Sequence, residues 1–200
     1  MYFFTHLFIS KVLYQHFAGE VELNKRAFAY GNIKPDLPSS NHKDHTLENY
    51  LNTVFDLTNQ LMQDELTVAD FSVQLGEICH YICDFFCYYH VLEEIYHHKL
   101  QHFYYEIRLH YKLMCMNVKH KYRVLSSNME PRKDIRSMVQ EMRKAYFSQP
   151  MSMLRDIDFA FSTAVWTCES IIYYLNISTN PMQGIKKEHY SFLTEEGGSI

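Results

Sequence analysis

Apolar residues return every three to four positions along most of the chain, the period of an amphipathic helix, and clusters of Pro or Gly are few. That period predicts helices near residues 4–17, 45–62, 68–95, 98–125, 131–148 and 152–177. Helix starts are marked: Thr67-x-x-Asp70 has the form of a capping box, and Ser127-x-x-Glu130 stands just before Pro131, a first-turn residue type. The long irregular stretch is roughly 18–44, where Gly31, Pro35 and Pro38 exclude a continuous helix. The expected fold is all-α, a single-domain multi-helix bundle over 1–193 with a flexible tail at 194–200.

Composition sharpens this picture in two places. The 200 residues are 47% hydrophobic, with 16 Tyr and 14 Phe, which predicts an aromatic, close-packed interior rather than disorder. A formal net charge of -4 argues against a general electrostatic grip on nucleic acid or on an anionic membrane, so no stable nucleic-acid partner is expected. Of the 5 cysteines, Cys79, Cys83 and Cys87 recur every fourth residue. They read as small buried hydrophobes of a reducing compartment rather than a disulfide framework or a thiolate site. The apolar N-terminus has no basic region ahead of it, and His6, Lys11 and Gln15 interrupt it, so it does not read as a signal peptide. No stretch reaches the ~18 unbroken apolar residues of a transmembrane segment. The expected location is cytoplasmic; oligomeric state is not legible.

Chemistry enters with an ordered set of ligand-type residues. His80-x3-Asp84-x5-His90 is followed by His102-x3-Glu106, and the i,i+4 spacing puts each of the pairs His80/Asp84 and His102/Glu106 on one helical face. Imidazole and carboxylate are ligand types that zinc accepts, and buried without partners they would be costly. The irregular segment brings Asp36, extended after Pro35, and His45 at the edge of the next helix, with His42 as the competing histidine three residues away. His6 lies near the start of the first helix. His6, Asp36, His45, His80, Asp84, His90, His102 and Glu106 are too many for one tetrahedral zinc and suit two or three Zn2+ ions.

In this order, an N-terminal His, then Asp, His, H-x3-D-x5-H and H-x3-E, the chain resembles the zinc-dependent phospholipase C and P1 nuclease family of helical trinuclear zinc hydrolases, over residues 1 to about 110. The resemblance implies one ion held by Asp36, His45, His80 and Asp84, and a second held by His90, His102 and Glu106. It implies a third at His6, a bridging Asp84, and the amine and carbonyl of the first residue, here Met1 where the family has a Trp exposed by processing. By the same resemblance Asp36 also lies near the attacking water, as its orienter or base.

Two zinc ions lower the pKa of a shared water toward ~7 and neutralise charge at a phosphodiester, so the resemblance implies a zinc-dependent phosphoric ester hydrolase. Phospholipase C-like activity on a phospholipid headgroup is the favoured form, and a P1-type nuclease or nucleotidase on a nucleotide-like substrate is the nearest alternative. A non-catalytic, metal-stabilised helical module is the reading from another class. His16, His97, His98, His110, His120 and His189 read as ordinary core or surface histidines, and the Lys and Arg of 119–144 as a solvated face. The half past about 125 reads as packing helices, and Asn176-Ile-Ser178 matches a glycosylation acceptor that means nothing without export.

Overall fold

A computed structural model of the chain describes residues 1–38, 44–63, 65–91, 93–116 and 129–179. The fold is all-α, with no strand among these residues. Nine α-helices are described: α1 (Phe3–Phe17), α2 (Lys25–Gly31), α3 (Leu47–Gln63), α4 (Val68–Asp84), α5 (Tyr88–Val91), α6 (Glu93–Tyr96), α7 (Lys99–Cys115), α8 (Ile135–Phe147) and α9 (Met153–Thr179). A short 3-10 turn, Lys34–Asp36, follows α2.

The centre is α4, which packs against α2, α3 and α9. Its second half, from Ile78 to Asp84, is buried residue by residue, as expected of a helix apolar on every side except for the groups that carry chemistry. α9 is its long partner, with Ala160, Phe161, Ala164, Cys168 and Ile171 in the core. α1 enters along His6, Ile9, Leu13 and Phe17, a buried stripe at helical spacing. The N-cap of α4 is Thr67, whose hydroxyl accepts from Asp70 N–H at 3.1 Å, as the capping-box pattern predicts.

Four expectations need correction. The segment 18–44 is not wholly irregular: it holds α2, capped by Asn24, whose side chain accepts from the N–H groups of Arg26 and Ala27. Asp36 lies in a 3-10 turn, not an extended strand. The span 68–95 is not one helix, because α4 stops at Asp84 and the chain turns before α5 and α6. The helix expected from 131 begins at Ile135, capped by Asp134, so Pro131 is not in its first turn. Ser127, the end of the helix expected to reach 125, KHKYR and the 194–200 tail lie outside the described residues.

One backbone contact positions the later chemistry. At Gly76 a Cβ would stand 2.5 Å from the Phe28 carbonyl oxygen and 2.9 Å from Asn32 N, so α4 accepts α2 only because no side chain intervenes. Gly31 faces the Val73 backbone in the same crossing. This close approach delivers the Asn32 carbonyl to His80.

Candidate metal centre

The His80/Asp84 pair sits on the buried face of α4, and the chain turn after Asp84 brings His90 back beside it on α5. His102 and Glu106 project from α7, His6 from α1, His45 from just before α3, and Asp36 from the 3-10 turn. All eight meet in one place with the amine of Met1. His45 Nδ1 is 3.1 Å from both Asp84 Oδ2 and His80 Nε2, and His80 Nε2 is 3.2 Å from Asp84 Oδ2. Asp36 Oδ1 stands 3.7 Å from each of those two ring nitrogens, its side chain 22% exposed and so the most open of the set. On the other side, His90 Nε2, His102 Nε2 and Glu106 Oε1 are 2.9–3.0 Å apart. His6 Nε2 approaches Asp84 Oδ1 at 3.2 Å, and the Met1 amine contacts that same oxygen, with Glu106 Oε1 at 3.2 Å and His90 Nε2 at 3.1 Å. His42 lies outside the described residues.

Backbone carbonyls decide which nitrogens face inward. His80 Nδ1 is 2.9 Å from the Asn32 oxygen, His90 Nδ1 3.2 Å from that of His45, and His102 Nδ1 3.2 Å from that of Tyr96. A carbonyl can only accept, so each Nδ1 carries a proton and each ring turns its Nε2 to the centre. This is the outer support typical of metal-binding histidine. His90 and His102 meet Nε2 to Nε2 at 3.0 Å beside Glu106 Oε1, an arrangement that a cation between them would satisfy.

Charge tells the same story. Burial pushes the Asp84 carboxyl up, but His90, the Met1 amine, His6 and His80 together hold it well below the ordinary range. Glu106 is also held well below its ordinary range, its burial outweighed by the Met1 amine and by His102 and His90. Burial first, then His80, pushes His6 down to about 4 despite Asp84, so this ring is neutral. His6 stacks on His80 with ring centroids 3.9 Å apart, and neither of its buried ring nitrogens has a directed hydrogen bond among the described residues. His6 Nε2 thus lies close to Asp84 Oδ1 without hydrogen-bond geometry, and a buried ring nitrogen without a partner fits a metal ligand. His90 is likewise lowered by burial, against Asp84. His80 is the exception: burial lowers it, but Asp84 and then Asp36 raise it on balance. Met1's ammonium is also raised well above its ordinary value by Asp84 and Glu106 against its burial, so metal would have to displace a proton there.

The residues fit zinc. Tetrahedral nitrogen and oxygen ligands at 2.0–2.1 Å from the ion stand about 3.3 Å from one another, close to the 2.9–3.2 Å spacings here, and the donors are all imidazole, carboxylate or amine. Among the described residues, the groups His6/His80/Asp84, Asp36/His45/His80 and Cys87/His90/Glu106 each bring three ligand atoms within 4.8 Å of one another.

Cys87 was outside the sequence reading of the site. Burial pushes its thiol well above the ordinary range, so beside this centre it is a protonated neighbour. All five cysteines are free; Cys79 and Cys168 stand with sulfurs 3.3 Å apart. Exposed His97, with Asp44, Tyr96, Lys99, His102, Phe103 and Glu106, lines a cavity of about 440 Å³ against the His102 and Glu106 side. By contrast His16 pairs with Glu169 at 3.2 Å and His110 with Thr5 at 3.2 Å, ordinary packing contacts.

Two residues from the C-terminal half, expected only to pack, hold the turn that carries His90. Buried Arg143, not part of a solvated face, donates to the carbonyls of Phe85 at 3.0 Å and Val91 at 2.6 Å. Asp156, fully buried on α9, accepts from Tyr88 N–H at 2.7 Å and from the hydroxyls of Tyr105 and Tyr146 at 2.8 Å. Tyr88 is two residues before His90 and Tyr105 one before Glu106. Burial raises the Asp156 carboxyl, and these donors oppose the rise. In sequence Asp156 stands in the charged stretch RDID, and the legible signal was only its place four residues before Ala160 on one helical face. Asp156→Asn keeps the shape but turns an NH2 toward one of these donors. It is expected to weaken zinc binding about 10–100-fold and to lower stability by about 1–3 kcal/mol, read by competition with a chelating dye and by denaturant unfolding.

Residues 5–153 match the family described as zinc dependent phospholipase C. No curated protein and no solved structure matches the chain. The matched span contains every one of these converging side chains, and the all-α fold is the one the resemblance implied. By that match, the chain belongs to the zinc-dependent phospholipase C family.

Proposed function

We propose that this protein is a zinc-dependent phosphoric ester hydrolase, phospholipase C-like, that cleaves phosphodiesters with a metal-activated water. The observation that carries the reading is the inward convergence of His80, His90 and His102 Nε2 nitrogens on two ionised carboxylates beside a cavity. We assign two or three ions: one at Asp36, His45, His80 and Asp84, one at His90, His102 and Glu106, and a third at His6, Asp84 and the Met1 amine. We read 1–193 as one domain, since α9 packs on α4 beyond the end of the family match. A cytoplasmic setting accords with five unpaired cysteines.

Zinc held there supplies positive charge that acidifies a water and polarises a phosphoryl oxygen. The chain's own part is orientation. Asn32, His45 and Tyr96 carbonyls fix ring tautomers, while burial of Asp84 keeps its charge undiluted by solvent. Asp36, the partly exposed carboxylate, is placed to orient the attacking water or take its proton. Lys99 and His97 line the cavity where an anionic phosphate would enter.

The test is a panel of phospholipid, soluble phosphodiester, phosphomonoester and single-stranded nucleic acid substrates with zinc-loaded protein. Phosphodiester and phospholipid cleavage are expected. Asp36→Asn should lower it by about 10²–10⁴-fold, the range for loss of a general base, with little change in melting temperature. Cleavage of nucleic acid alone would replace the phospholipase reading with a nuclease. Cleavage of nothing would leave a structural metal module.

A further inference from the structure

The helix that carries His102 and Glu106 has an apolar face turned to solvent. Of α7 only Leu109 and Leu113 are buried. Leu100, Tyr104 and Tyr111 are 73%, 64% and 72% exposed, and Phe103, Ile107 and Met114 are exposed beside them. At about 100° per residue these six occupy one arc roughly 100° wide. Arg108 and Lys112 follow on one flank of the arc. On the other, Lys99 stands between it and the two metal-centre residues. Next to Arg108 and Lys112, exposed Met151 and Leu154 from the start of α9 widen the apolar surface. Phe103 meets Tyr2, which meets exposed Phe4, so the surface also runs to the N-terminus.

We propose that this face of α7 docks the protein on an anionic lipid bilayer. Three observations favour lipid over a second copy of the chain or a partner protein. The exposed cations of α7 are all on the flanks of the stripe, a local positive rim on a chain of net charge -4, which matches an anionic leaflet and would repel an identical rim. The stripe mixes Tyr and Phe with aliphatic residues, the side chains that settle at the boundary of headgroup and acyl chain. It also continues into the cavity: Phe103 and Lys99 belong to α7's outer surface and to the lining beside His102 and Glu106. A helix lying in the interface plane would therefore bring the cavity to the depth of the headgroup phosphodiester. The overall charge forbids a general grip on anionic membrane; this face is a local one. The proposal rests on the phosphoric ester hydrolase reading for its purpose, but binding is measurable without activity.

The experiment floats the full-length, zinc-loaded chain with vesicles of phosphatidylcholine alone and of phosphatidylcholine mixed with phosphatidylserine. Two variants are compared, Tyr104→Glu with Tyr111→Glu, and Arg108→Glu with Lys112→Glu. Zinc content, thermal melting, light-scattering mass and hydrolysis of a soluble phosphodiester are measured in parallel. Wild type is expected to bind the anionic vesicles preferentially. The first variant should lower that binding at least about tenfold and the second should erase the preference for anionic lipid, both with unchanged zinc content and soluble-ester hydrolysis. Absence of wild-type binding, undiminished binding by either variant, or a wild-type dimer that the first variant dissociates would overturn the proposal. Binding without hydrolysis of any ester would instead uphold this surface and remove the activity reading.

Discussion

Asp84→Ala is expected to cost the protein more than one equivalent of zinc and to lower phosphodiester hydrolysis more than the about 100-fold typical of an outer-shell change. Asp84 joins two of the assigned sites: Oδ2 faces His45 and His80, and Oδ1 faces His6 and the Met1 amine. Its removal leaves those groups buried without their counter-charge. The apo protein should lose about 3–5 kcal/mol of stability, the usual result of breaking a buried ion pair from one side. His90→Ala should be milder, since Glu106 and His102 remain paired at 2.9 Å. The measurement is elemental analysis of both variants beside wild type, with denaturant unfolding in chelator. Loss of a single equivalent from Asp84→Ala would remove the bridge and leave the rest of the assignment in place.

A Gly-Ser extension before Met1 is expected to lower zinc content by one equivalent and depress activity, while the same extension after Ile200 does neither. Met1 is buried at 4% exposure, and its amine lies among Asp84, Glu106 and His90. An α-amino group has an ordinary pKa of ~7.7–8.0. Here the two carboxylates hold it well above its ordinary value despite burial, so zinc must displace a proton to use its lone pair. An amide in its place has no basic lone pair. Calorimetric titration in buffers of different ionisation enthalpy should show net proton release for the unextended chain and less for the extended one. Equal zinc content in the extended and unextended proteins would show that the amine is not a ligand.

Much of the centre was legible because its residues obey helical arithmetic. His80/Asp84 and His102/Glu106 each share a face at i,i+4, and an uninterrupted helix presents that spacing wherever it sits. What surrounds them was not. The run CDFFCYYHV has no Pro or Gly to end a helix, and the break after Asp84 is made from afar. Arg143 takes the Phe85 and Val91 carbonyls and Asp156 takes Tyr88 N–H, donors and acceptors that 68–95 does not contain. That break is what swings His90 beside Asp84. The outer carbonyls of Asn32 and Tyr96 are likewise invisible in sequence, since a backbone oxygen has no residue signature. Asn24 ahead of KRAFAYG is a readable cap, but Gly31 and the prolines that follow carry a loop signal over the same stretch.

The central claim is that the converging ring nitrogens exist to hold zinc. Elemental analysis of purified full-length protein, after exhaustive dialysis against metal-free buffer, tests it most directly. The predicted result is two to three zinc equivalents per chain that only a strong chelator removes, with a fall in melting temperature on removal. Metal-free protein that is fully folded, and that takes up no zinc when titrated, would contradict it.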